Sequence, residues 1–346
     1  MRRNWIIGII LLGAFIGQLA AQPFGDPTFR KKGTHSGNKV RTVFFNDGLV
    51  AGTLGDGPEG EWPIGSENMY IGDVSPLLGV EATQAWIDTF RFKNAAQDTL
   101  IDRMNKQYWI FDLLGTITPP IVAGTDTFKY RAKVYKTIHS VGTSDGPRGN
   151  TDGPTNGNTY TFQPIPGYAN ADTNLVAMST DLDNDGLDGL PSSGDDDGLP
   201  DSWPAFWPDK LNSIDDPGWP KSWNGYFGKN VMNADQESYF VMDDNNDVEF
   251  NYRASGDPST GIVFMPDTLN SLMFGMGLQT SVRGLQWAHF LAEDAIFWLY
   301  DVTNRGTADY QKASFGMMVG TLAGGRCGDS NDDLAYFDAE NDITFL

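Results

Sequence analysis

Apolar and polar residues alternate most clearly over residues 127–141 (TFKYRAKVYKTIHSV), a run dense in β-branched and aromatic side chains. That period of two predicts a half-buried β-strand. Residues 40–45 (VRTVFF) predict a first strand, closed by the turn Asn46-Asp47-Gly48. A short strand is predicted at 69–71. Residues 80–115 read two ways: 80–92 as a pair of strands, and 97–111 as a short helix with Leu100, Ile101, Met104, Tyr108 and Phe111 at helical spacing. Further strands are predicted at 174–179, 239–242, 248–252, 275–286, 295–303 and 314–322. A helix over 285–302 is an alternative, but Ile296-Phe297-Trp298-Leu299-Tyr300 packs β formers too densely for it. Five strands in about 85 residues of the C-terminal part point to a β-sandwich. The fold class expected is therefore mainly β, with sandwich packing and a long acidic excursion of the kind that wraps calcium.

Turn chemistry punctuates these runs. Residues 142–172 and 181–222 are rich in Asp-Gly, Asn-Gly and Trp-Pro steps, a connection long enough to need a function or a fixative. The chain thus divides into a flexible lead-in at 22–39, an N-terminal β-rich domain at 40–145, an acidic and Trp/Pro-rich region at 146–235, and a C-terminal β-sandwich at 236–346. The first 21 residues read as a signal peptide: Arg2 and Arg3, an apolar run from Trp5 to Leu19, then Leu19-Ala20-Ala21 before Gln22. The apolar run is short for a membrane span. The protein is therefore expected outside the cell or on its surface.

Charge sharpens the picture. The formal net charge is -21, and no Lys or Arg occurs from Gly149 to Asp209. Such a chain repels nucleic acid and anionic membranes, so neither is expected as a partner. Between 181 and 201 the chain reads DLDNDGLDGLPSSGDDDGLPD, with eight aspartates and no cation. Alternate carboxylates followed by glycine suit a hard cation held by oxygen ligands. Asp181, Asp183, Asp185, Asp188, Asp195, Asp197 and Asp201 are the candidate ligands, calcium the candidate ion, and a solvated acidic loop the plain alternative. Two looser clusters, Asp243, Asn245, Asp247 and Glu249, and Asp329, Asn331 and Asp333, have alternate spacing without the glycine; they are weaker metal candidates, with a hairpin turn or solvated loop as the plain reading of each. Cys327 is the single cysteine, which leaves neither an intrachain disulfide nor a thiolate zinc site.

Trp203, Trp207, Trp219 and Trp223 could offer stacking faces to a sugar, or could anchor the excursion to the body of the fold. Gly142-Thr143-Ser144-Asp145-Gly146 matches a nucleophile elbow, but the Gly/Pro-rich residues after it cannot form the helix an elbow needs. His289, among Trp287, Phe290 and Leu291, is expected to be semi-buried. No catalytic constellation emerges, although distant carboxylates leave a glycosidase open.

The loop resembles thrombospondin type 3 calcium repeats, pattern D-x-D-x-D-G-x-x-D. Asp181, Asp183, Asp185 and Gly186 match, with Asp188 one residue early; Asp195, Asp197, Gly198 and Asp201 match, with Ser193 in place of the first aspartate. Scattered stretches over residues 40–346, among them VRTVFFNDGLVAG, ESYFVMDDNND and LAEDAIFWLYDVTNRGTADYQKASFGMMVGTLAGG, resemble large, uncharacterised secreted bacterial proteins that often end in a surface-sorting domain. The resemblance implies β-rich extracellular domains, no assigned catalytic residues, and a last sandwich cut short at Leu346. The function expected is a secreted or surface structural or adhesive protein, with extracellular polysaccharide or other surface proteins as partners. A carbohydrate-binding module or a polysaccharide-acting enzyme is the alternative.

Overall fold

Antiparallel pairing organises the described strands. The computed structural model describes residues 24–52, 56–92, 127–142, 161–181, 199–247, 262–263, 275–322, 334, 336–341 and 343–345. Within them run fifteen strands: β1 (Lys32–His35), β2 (Thr42–Phe45), β3 (Val50–Ala51), β4 (Ile71–Phe92), β5 (Thr127–Gly142), β6 (Gln163–Pro164), β7 (Asn224–Gly225), β8 (Gly228–Lys229), β9 (Gln236–Asp243), β10 (Ile262–Val263), β11 (Leu278–Gln286), β12 (Phe297–Asn304), β13 (Ala313–Thr321), β14 (Tyr336–Asp338) and β15 (Ile343–Phe345). The fold is mainly β, as the alternation predicts. No described helix is long and apolar enough to cross a membrane.

One sheet runs β1-β2-β3-β4-β10, with β5 and β13 also pairing β4; the second runs β12-β11-β9-β6. β4 is the spine of the first sheet. Its Ile71–Val80 stretch pairs with β13, from Val80↔Ala313 to Ile71↔Thr321, while Leu77 to Phe92 pair with β5. Strands from 40–145 and from 236–346, read from sequence as separate domains, therefore share one sheet. The pair of strands expected at 80–92 is instead part of one 22-residue strand. Gly72, Asp73, Ser75, Pro76 and Gly79 break the apolar pattern of its first half and hide its start.

The two sheets close on a common core. Phe44, Val50, Leu78 and Val80 from the first meet Phe240, Met242, Leu278 and Val282 from the second. Alternation along β9 explains why all eight of its residues are buried. Phe240 and Met242 face this core, whereas Tyr239 and Val241 face the other way, into a second cluster with Trp203, Trp207 and Trp223. β9 is thus the middle layer of the fold, covered on one side by the first sheet and on the other by the Trp-rich loops, whereas β12 is largely exposed.

Three further expectations need correction. Within the lead-in expected to be flexible at 22–39, Lys32–His35 is strand β1, paired from Lys32↔Phe45 to His35↔Thr42. Glycine and polar residues disguise it, because Gly33 lies where any Cβ would overlap the Phe44 ring and His35 is taken into the core. The strand expected at 174–179 forms only isolated bridges, at Leu175 to Lys32 and Met178 to Ser238. Its backbone divides its hydrogen bonds between two partners, with Val176 N donating to Lys32 O (2.9 Å) and Ser179 N to Glu237 O (2.8 Å). His289 is exposed in the turns that precede β12. The expectations at 1–21, 97–111 and 248–252 lie outside the described residues.

Candidate functional site

Asp181 is the one strong calcium candidate at the start of the excursion that the structure describes, and it has a structural task. It is buried, and its Oδ2 accepts a hydrogen bond from Ser202 N at 2.5 Å. Ser202 Oγ in turn accepts from Met178 N (3.1 Å), and Trp203 Nε1 donates to Met178 O (2.7 Å). The chain leaving at 181 and the chain returning at 202 are knotted together. Asp183, Asp185, Asp188, Asp195 and Asp197 lie outside the described residues, and Asp201 sits half-buried beside the knot. Among the described residues no three His, Cys, Asp or Glu side chains converge as a metal-holding group.

The looser cluster at 243–249 forms a corner. Asp243 accepts from Gly25 N through both oxygens (3.0 Å each) and from Asn245 N (3.1 Å). Asp244, next in sequence, accepts from Met276 N (2.7 Å) and Leu278 N (2.9 Å). These contacts pin the N-terminal segment and the start of β11 to the end of β9. Burial pushes the Asp243 carboxyl up to about 6 and holds Asp244 well above the usual carboxylate range. Asp247 is buried in the same turn. Glu249, Asp329, Asn331 and Asp333 lie outside the described residues.

The tryptophans are core. Trp207 and Trp223 are 1% and 0% exposed, and Trp203 is buried with them. Their rings meet edge-on or tilted, Trp207 to Trp223 at 5.7 Å and Trp203 to Trp223 at 5.4 Å. Trp223 Nε1 donates to Glu237 Oε2 (2.8 Å), and Trp207 Nε1 to Ser222 O (2.7 Å). A sugar cannot stack on faces already covered by protein, so Trp203, Trp207 and Trp223 are not a stacking platform. Trp219 packs at the margin of the cluster, with Lys210 Nζ 4.9 Å above its ring. At about 200 Å² of buried area each, every indole stabilises the layer by about 5 kcal/mol before entropy is counted.

Sequence reading missed a cleft where this layer meets the second sheet. It has a volume of about 300 Å³ and is lined by Tyr168, Asp209, Lys210, Tyr226, Tyr239, Gln279, Ser281, Arg283, Asp301 and neighbours. Register builds it: Arg283 lies opposite Tyr239 and Leu299, and Ser281 opposite Val241 and Asp301, so these residues share one face. The Arg283 guanidinium lies 3.9 Å over the Tyr239 ring. Asp209 accepts from Tyr239 Oη (3.2 Å) and Asn224 Nδ2 (3.0 and 3.1 Å) and pairs with Lys210 Nζ (3.1 Å). Arg283 Nη1 is buried with no hydrogen-bond partner. An unmet buried donor costs about 1–3 kcal/mol. The one sequence signal was the polar series Gln279, Ser281, Arg283 alternating with Leu278, Thr280, Val282.

A buried histidine completes the inventory. His35 Nε2 lies 2.9 Å from Ser238 Oγ, and Nδ1 lies 3.2 Å from Gln286 Oε1. Gln286 Oε1 also accepts from Gly37 N, and Ser238 Oγ accepts from Gly284 N. The consistent assignment is Nδ1–H donating to Gln286 and the Ser238 hydroxyl donating to Nε2, which is a neutral imidazole. It joins β1 of one sheet to β9 and β11 of the other. No protein-family model, curated protein or solved structure matches this chain.

Proposed function

We propose that this chain is a secreted or cell-surface structural or adhesive protein, without catalysis, in which calcium fixes the acidic excursion. The observation that carries the reading is the knot at its base. Asp181 Oδ2, Ser202 N, Met178 and Trp203 hold the two ends of the excursion against the body. A loop whose ends are already ordered costs less further entropy to order around an ion. The aspartates between those ends, Asp183, Asp185, Asp188, Asp195 and Asp197, with Asp201 at the return, supply oxygen ligands of the type calcium takes. Asp181 closes the loop through one oxygen. Extracellular polysaccharide or other surface proteins are the partners such a scaffold would meet.

Thermal unfolding in millimolar calcium and in excess EDTA tests the reading. Calcium at about 100 times its Kd should stabilise the protein by about 2.7 kcal/mol and raise Tm. That rise should vanish in an Asp183→Ala/Asp197→Ala double variant. Identical melting in calcium and EDTA would refute it.

A further inference from the structure

We propose that the cleft over Arg283 binds a neutral saccharide ring. Its volume of about 300 Å³ lies at the small end of ligand sites and suits one or two pyranose units. Its charges balance: Arg283 and Lys210 stand against Asp209 and Asp301. An anionic ligand would meet two carboxylates here, on a chain of net charge -21. An apolar ligand would leave these polar groups without partners. A polyol satisfies both signs, because each hydroxyl donates one hydrogen bond and accepts others. Asp301 lies opposite Ser281, two positions along from Arg283 on the same face, so the two residues are diagonal neighbours about 7 Å apart at the backbone. Hydroxyls along one edge of a sugar can donate to Asp301 and accept from the Arg283 guanidinium, both of which line the cleft. Tyr226, half exposed at the rim, offers a ring face to the apolar side of the sugar.

The cleft uses no residue of the acidic excursion, so this inference and the calcium reading fail separately. Melting that ignores calcium leaves the sugar titration informative. The test is saturation-transfer NMR of the exported chain with glucose, galactose, mannose and N-acetylglucosamine, with glucuronate as the charged comparator. At least one neutral sugar should bind with a millimolar Kd. Asp301→Ala and Tyr226→Ala, both at exposed side chains, should each weaken it at least tenfold with unchanged circular dichroism and Tm. Silence from all four neutral sugars would overturn the proposal. So would binding that survives both substitutions, or binding of glucuronate alone.

Discussion

Protonating His35 should cost the protein stability in a way that can be isolated. Burial pulls its imidazole down from 6.5 to about 4, against the opposing hydrogen bonds from Gln286 and Gln236. The folded pKa lies below the unfolded one, so the unfolded chain takes the proton first. Stability from this residue is intact above about 6.5 and drains away as pH falls towards 4. Between pH 7 and about pH 4.5 the two pKa values give a loss of about 2.5 kcal/mol. A pH profile of the unaltered protein would conceal it. Asp243 is displaced in the opposite sense, from 3.8 to about 6, so its folded form binds the proton first. Over the same interval it contributes a gain of about 2 kcal/mol. The informative quantity is therefore a difference. Urea denaturation of the native chain and of His35→Gln, each at both pH values, removes the Asp243 contribution and every other shared group. The destabilisation caused by His35→Gln should shrink by about 2.5 kcal/mol on going from pH 7 to about pH 4.5. An equal penalty at both values would mean that the imidazole is not held neutral in the core, and the tautomer assignment would fall with it.

Trp223→Ala should destabilise the fold by about 3–5 kcal/mol by chemical denaturation, since it opens a cavity and strips Glu237 Oε2 of its indole donor; a loss under 1 kcal/mol would refute the Trp layer as core. Gly275→Ala should cost more than about 1 kcal/mol in the same assay, because its φ is +63° and a Cβ there would overlap the Asp244 carbonyl; an unchanged midpoint would refute that corner.

What could be read from sequence tracks how local the cause is. β9, β11, β12 and β13 were legible because their own residues alternate or crowd together as β formers. β1 was not: Lys-Gly-Thr-His becomes a strand through Phe44 packing on Gly33 and through Ser238 and Gln286 receiving His35, and those partners lie far along the chain. The excursion was legible as composition, but the clasp of Asp181 to Ser202 at its base was not. The tryptophans announced themselves as either platform or anchor, and only their burial between β9 and the loops decides for anchor. The Arg283 cleft was least legible. Its members come from residues 168, 209–210, 226, 239, 279–283 and 299–303: strand register brings the β9, β11 and β12 members to one face, and distant loops supply the rest.

Buried acid explains how the described loops hold without disulfides. Cys327 can make no bridge within the chain. Where loops cross, their backbone N–H groups lack ladder partners and need acceptors. Carboxylates supply them. Glu237 accepts from Asn233 N and Ala234 N, Glu61 from Gly65 N and Glu67 N, Asp243 from Gly25 N, Asp244 from Met276 N and Leu278 N, and Asp181 from Ser202 N. Each is a charge-assisted clasp when ionised, stronger than a neutral hydrogen bond, at the cost of burying a carboxylate. At Asp243 and Asp244 burial outweighs the clasp, so protonation there strengthens rather than weakens the fold. The aspartates at 183, 185, 188 and 195–197 lie outside the described residues, and in the proposed reading they are where calcium would act.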